Sequence, residues 1–151
     1  MAMVRVQQPL DVDGYVVREL TDDECTEYAA RSDGTQQGEY PLGIFQGEQL
    51  IGGIAMHDRN EPDDVELGYW LDPSWQGRGI ATAMVKAVTA ELFRHRTVQR
   101  VLIQHRPDNL RSQRIPERLG FRRIAHRATC TCGHADHVVW AITRDEWLPC
   151  T

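Results

Sequence analysis

Between Val65 and Gln104 the apolar pattern changes period twice, and this limits the fold more than any other feature of the chain. Val65 to Leu71 (VELGYWL) alternates, as a strand does when successive side chains point to opposite faces. After Asp72-Pro73 the spacing lengthens. Ile80, Met84, Val88 and Leu92 recur every fourth residue with Ala81 and Val85 beside them, which predicts a helix of about four turns with its apolar stripe in the core. Arg100 to Gln104 (RVLIQ) then reads as a short buried strand. Strand, helix and strand in this order predict one βαβ crossover.

The flanking segments predict antiparallel pairs. Tyr15 to Leu20 reads as a strand, and Thr21 with Glu24 forms a capping box for a helix that fades by Ser32. Pro41 to Gln46 and Gln49 to His57 are apolar runs separated by Gly47-Glu48, a hairpin signal. A second helix runs through about Leu119 and ends at Gly120, with Phe121 to Thr129 and His137 to Thr143 as a final strand pair. The order β α β β β α β α β β belongs to the α/β class, α+β in type: a mixed, mostly antiparallel central sheet flanked by helices, in one domain over residues 1–151.

Composition removes other classes. With 41% hydrophobic and 26% charged residues the chain matches neither a disordered tail, a fibre nor a coiled-coil rod. No apolar run reaches the roughly 18 residues a membrane span needs, and Arg5, Gln7, Gln8 and Pro9 break up the apolar residues that a secretion signal would require. The expected location is the cytoplasm, with Cys25, Cys130, Cys132 and Cys150 as reduced thiols. Cys130, Cys132, His134 and His137 have ligand-type side chains at C-x-C-x-H-x-x-H spacing, too tight for a standard zinc finger; a polar hairpin tip is the preferred reading, so no metal is expected. The net charge of −5 conceals an asymmetry: residues 1–75 hold 4 Arg and 16 acids, residues 76–151 hold 13 Lys or Arg and 6 acids. If the halves form two walls of one cleft, one wall suits polyanions and the other cations. No nucleic-acid-binding motif accompanies the basic half.

Gln76-Gly77-Arg78-Gly79-Ile80-Ala81 lies between strand and helix, where two glycines admit close approach of a ligand and the first-turn N–H groups face outward at the positive end of the dipole. A phosphate or pyrophosphate fits such a turn. A Walker loop is excluded, because no Lys follows these glycines and Lys86 is the chain's only lysine. A dinucleotide fingerprint is disfavoured by Thr82 at its third glycine and by Gln99 and Arg100 where its acid belongs.

What remains, Q-x-x-G-x-A opening a helix, resembles the GNAT superfamily of N-acyltransferases. The resemblance runs from about Tyr15 to Trp147. It is densest in VELGYWLDPSWQGRGIAT and NLRSQRIPERLGF, which are similar to the ribosomal-protein N-terminal (alanine/serine) acetyltransferases, as is the closing DHVVWAITRDEW. The resemblance implies splayed strands with acetyl-CoA in the cleft between them. Backbone groups near Leu71 and Asp72 would hold the pantetheine, and Gln76, Gly77, Arg78, Gly79, Ile80 and Ala81 would supply the pyrophosphate turn. Asn109 matches the family's Asn that reaches the pantetheine arm, and Arg114 is placed to meet a phosphate.

The implied reaction is direct acyl transfer to an amine, which needs a proton acceptor and a donor for the departing thiolate. Glu66, a carboxylate on an apolar strand, is the expected base, directly or through a water, with its basicity raised by desolvation. Many superfamily members place a Tyr acid five residues before the Phe of L-G-F, but that position is Pro116. The matching subgroup has a Ser three residues after the Asn, here Ser112, which becomes the expected acid; a helix-capping role competes with it. Inside a helix begun at Asn109, Pro116 deletes an N–H bond to residue 112, so the helix starts late or is kinked there. Asp58, Glu61, Asp63 and Asp64 would attract a cationic amine. The expected acceptor is a protein N-terminus, ahead of a small amine or antibiotic, and the expected assembly a monomer or homodimer. A non-catalytic acyl-CoA-binding module and a metal-dependent interaction domain are the competing classes.

Overall fold

The computed structural model describes residues 9–31, 40–58, 63–129 and 135–147. Its strands are β1 (Leu10–Val12), β2 (Tyr15–Glu19), β3 (Tyr40–Gln46), β4 (Gln49–Asp58), β5 (Asp64–Leu71), β6 (Arg100–His105), β7 (Arg122–Thr129) and β8 (Ala135–Thr143). The helices are α1 (Asp22–Arg31), α2 (Ile80–Phe93), α3 (Leu110–Arg118) and the short α4 (Arg144–Trp147). The strands form one sheet in the order β1-β2-β3-β4-β5-β6-β8-β7. β5 and β6 pair in parallel and the remaining neighbours antiparallel, so the crossover through α2 falls where the change of period predicts it.

Alternation assigns the two faces. Val65 and Leu67 of β5, Val101 and Ile103 of β6, and Val138, Trp140 and Ile142 of β8 form one buried cluster with Ile80, Met84, Val88 and Leu92, the stripe of α2. Each such side chain stabilises by about 1.5–3 kcal/mol through burial, which fixes α2 over the β5–β6 junction. The opposite face carries α1, whose Tyr28 meets Trp70 of β5 edge-on with ring centroids 5.3 Å apart beside Phe45 and Leu50. Leu102, Val139 and Ala141 form a separate buried cluster.

Local chemistry fixes the ends of the elements. Thr21 and Glu24 make both bonds of the capping box, Thr21 N–H to Glu24 Oε1 at 2.9 Å and Glu24 N–H to Thr21 Oγ1 at 3.3 Å. Arg18 holds the same carboxylate with two bonds of 2.8 Å and, with Thr21, keeps it well below the usual range, at about 2. At the end of α2, where carbonyls lack helical partners, Arg144 donates to the carbonyls of Phe93 at 2.6 Å, of Val98 at 2.8 Å, and of His95. Asp64 and Arg100, register partners at the start of the parallel pair, form a two-point ion pair at 3.1 and 2.6 Å.

β1, a 3-10 turn at Pro73–Trp75 and α4 are additions to the predicted order. α3 begins at Leu110 behind an Asn109 cap and accommodates Pro116 inside the helix.

Candidate active site

The parallel pairing of β5 with β6 covers only Asp64 to Leu67 against Arg100 to Ile103. Beyond it β5 continues to Leu71 beside β4, while β6 continues to His105 beside β8, so the sheet forks after Leu67 and Ile103. Successive backbone groups on a strand point to opposite edges. Asp72 N–H is turned toward β4 and donates to Ile51 O at 2.9 Å, which directs the polar groups of Tyr69 and Leu71 into the fork. Asp72, although it borders the cleft, has both backbone groups engaged, its carbonyl accepting from Trp75 N–H at 2.9 Å. The edge available to a bound chain is therefore Tyr69 and Leu71.

The fork opens into a cleft of ≈ 520 Å³ between the end of β5, the start of α2 and α3, within the usual range of small-molecule sites. Gly77 and Gly79 adopt φ of 81° and 78°, left-handed values that favour glycine, and a methyl group at either would meet nothing within 4 Å. Open space therefore lies against the turn, and no side chain caps the first-turn amides of α2. Those amides and the positive end of the dipole suit a diphosphate. Gln76, Gly77, Gly79, Ile80 and Ala81 line the cleft, whereas the Arg78 guanidinium packs over Trp75 at 5.0 Å and donates to Ser74 O at 3.3 Å. Arg78 thus contributes its backbone to the turn and its side chain to bracing it.

The facing wall is α3. Arg111, Arg114 and Arg118, spaced three and four residues apart, all border the cleft, with α2's N-terminus opposite. Arg114 is the expected residue; Arg111 and Arg118 extend it, and their helical spacing was the available signal. Gln76 spans the gap, donating to Leu71 O at 2.8 Å and accepting from Arg111. The residues present fit a CoA donor: an uncapped helix terminus for the diphosphate, three cations, and a strand edge for the pantetheine amides made of Tyr69 and the Leu71 N–H, the Leu71 carbonyl already accepting from Gln76.

Asn109 and Ser112 also border the cleft. Asn109 Oδ1 caps α3 by accepting from Ser112 N–H at 3.1 Å. The capping role that competed for Ser112 therefore belongs to Asn109. Pro116, lacking an N–H, leaves the carbonyl of Ser112 without its helical donor, and the Tyr69 hydroxyl donates to that carbonyl at 3.0 Å. This bond ties β5 to α3 across the cleft floor, and burial pushes the Tyr69 phenol well above its usual pKa.

Glu66 occupies the opposite face of β5 from Tyr69. It is 5% exposed, faces His57 of β4 and Leu102 of β6 in register, and sits one pair before the fork. The cleft's lining does not include it. Of the acids expected to attract an amine, Asp64 is committed to Arg100, Asp63 is exposed at the turn before β5, and Glu61 lies outside the described residues. Cys130, Cys132 and His134 also lie outside them. His105, at the end of β6, is a titratable group that sequence reasoning missed. Both its nitrogens are engaged: Nε2 accepts from Trp140 Nε1–H at 2.9 Å, and Nδ1 lies 2.7 Å from Arg106 O as its donor. Burial lowers its pKa, so it is a neutral structural group.

Comparison with known proteins identifies the family. The family profile described as "Acetyltransferase (GNAT) domain" matches residues 2–122. A Bacillus subtilis relative named "Probable N-acetyltransferase YjcK" is 32% identical over 152 residues, covering 96% of this chain and 80% of its own. The Escherichia coli "Ribosomal-protein-serine acetyltransferase" is 38% identical over 80 residues, 52% of this chain and 44% of that enzyme. The crystal structure of a ribosomal-protein-S5-alanine acetyltransferase from Vibrio fischeri superimposes with a TM-score of 0.76 at 16% identity, covering 95% of this chain and 100% of that one, and so shares the fold. With a matching profile over most of its length and a relative 32% identical across 96% of it, the chain belongs to the GNAT acetyltransferase family, N-acetyltransferases that use acetyl-CoA as acyl donor.

Proposed function

We propose that the chain acetylates a primary amine, a protein N-terminus being the acceptor, with Glu66 as base, directly or through a water, and Ser112 as acid. The carrying observation is the fork. A donor anchored on the α2 side of the sheet has an opening past Leu67 and Ile103, and Glu66 lies one residue pair away on the other face. Donor and acceptor then approach the same gap from opposite faces, which suits direct transfer.

Bound along Tyr69 and Leu71, acetyl-CoA supplies an activated thioester. The first-turn amides of α2 hold its diphosphate, aided by Arg111, Arg114 and Arg118, and Asn109 retains Nδ2 for the pantetheine arm. As the C–N bond forms and the C–S bond breaks, the amine's proton passes to the Glu66 carboxylate, and the Ser112 hydroxyl supplies a proton to the departing sulfur before recovering one from solvent. The protein acceptor draws support from the names of the E. coli and V. fischeri proteins. It places the protein in the cytoplasm, consistent with the absence, among the described residues, of a helix long and apolar enough to cross a membrane.

Glu66→Gln tests the reading. Thiol release from acetyl-CoA with a panel of N-terminal peptides and small amines should fall by about two to four orders of magnitude, with CoA affinity within about twofold of wild type. Wild-type protein that binds CoA yet releases no thiol above spontaneous hydrolysis across the panel would establish a non-catalytic acyl-CoA-binding module instead.

A further inference from the structure

Gln104 is the first residue of β6 beyond the fork. Its neighbour Ile103 is the last to pair with β5, while Gln104 itself still pairs with Val139 of β8. Register partners share a face, so the Gln104 side chain lies with Val139 and Leu102 on the face away from α2. Glu66, opposite Leu102 in register, is on that same face and is the diagonal neighbour of Gln104 across the junction. Two long polar side chains thus flank the gap on the acceptor side, one from each arm of the fork.

Gln104 Oε1 is buried and makes no hydrogen bond among the described residues. A buried amide oxygen left without a donor costs about 1–3 kcal/mol, and native structures rarely tolerate that without a use for it. The sequence alone offers no reason for a glutamine here, since Leu102 and Val139 beside it form an apolar cluster.

We infer that Gln104 is an acceptor-binding residue whose Oε1 takes one N–H of the incoming primary amine. This rests on the acetyl-transfer reading above. A neutral primary amine carries a lone pair and two N–H groups. Glu66, directly or through a water, takes the proton lost in the reaction, and Gln104 holds the hydrogen that remains on nitrogen in the amide product. The lone pair is then directed at the carbonyl in the fork. The pair of acceptors makes the site selective for primary over secondary amines, because an N-methyl amine has no second hydrogen to give.

The test does not need the natural acceptor. Two conjugates are made in which the sulfur of CoA is joined through an acetyl bridge to an alanyl dipeptide, one through a secondary amide with its N–H and one through the N-methylated amide. Isothermal titration of wild type should show the N–H conjugate binding about five- to tenfold more tightly than the N-methyl conjugate, as one hydrogen bond in the site provides. Gln104→Leu should remove that ratio while leaving CoA itself within about twofold, and Gln104→Glu, which keeps an oxygen acceptor, should restore most of it. Equal binding of the two conjugates by wild type, or an unchanged ratio in Gln104→Leu, overturns the assignment. Failure of wild type to bind CoA at all instead overturns the acetyl-transfer reading on which it rests, so the two failures are distinguishable.

Discussion

The Tyr69 hydroxyl donates to the carbonyl of Ser112 at 3.0 Å, supplying the hydrogen bond that Pro116 cannot make from within α3. A defect in the helix becomes an attachment point for the strand. The position of Ser112, which borders the cleft, then depends on a residue 43 positions earlier in the chain.

Tyr69→Phe removes that donor and leaves the Ser112 carbonyl without a partner. The expected loss of stability is about 1–2 kcal/mol, read from the urea midpoint. Turnover should fall about tenfold with CoA affinity little changed, since the mutation misplaces Ser112 without touching the diphosphate turn. Pre-steady-state thiol release at wild-type rate would show that Ser112 is positioned by something else.

Gly79→Ala strains a residue at φ 78° without creating a clash, because space there is open. The backbone cost is about 1–2 kcal/mol, and relaxing it swings the first amides of α2 away from the cleft. CoA should bind about five- to tenfold more weakly by calorimetry. An unaltered dissociation constant is the outcome that counts against the turn as the diphosphate site.

His105 gives stability a pH dependence of known sign. Burial holds its pKa below the usual imidazole value, Arg123 lowering it further and the Arg106 carbonyl and Glu117 opposing. The unfolded chain takes up a proton as pH falls through about 6.5, whereas the folded one resists until lower pH, so the unfolded state binds more protons and folding weakens on acidification. Urea midpoints should drop between pH 7.5 and 5, and His105→Gln should flatten that slope. An identical slope in the variant refutes the assignment.

Arg144→Met strips the donors from three carbonyls around the end of α2. A loss of about 2 kcal/mol, roughly 4–8 °C in Tm, is expected by calorimetry. A shift below about 2 °C would mean that solvent serves those carbonyls equally well.

The sequence carried the elements better than the site. The boundaries of β5, α2 and β6 follow from periodicity, and Thr21 and Glu24 form the capping box their spacing predicts. β1 was missed although Asp13-Gly14, at φ 53° and 84°, is a hairpin signal, because Leu10 to Val12 is too short to show a period. α4 is a single turn with no periodicity to read. The fork is invisible in sequence: nothing in Gly68 or Gln104 announces that pairing stops between them, since that depends on where β4 and β8 draw the two strands. The bond from Tyr69 to Ser112, the arginine wall completed by Arg111 and Arg118, and the sealed His105 likewise arise from contacts between distant segments.

Within the sheet, four register pairs, the first of them also the ion pair of Asp64 with Arg100, join five strands on one side to three on the other. Beyond that seam the two arms are held by what packs on them, the stripe of α2 and the Tyr69–Ser112 bond, while the strand edge itself stays open to an extended chain. In the acetyl-transfer reading proposed above, an extended donor laid along that edge would add its own contacts beside the seam, so binding would stiffen the sheet as well as deliver the acyl group.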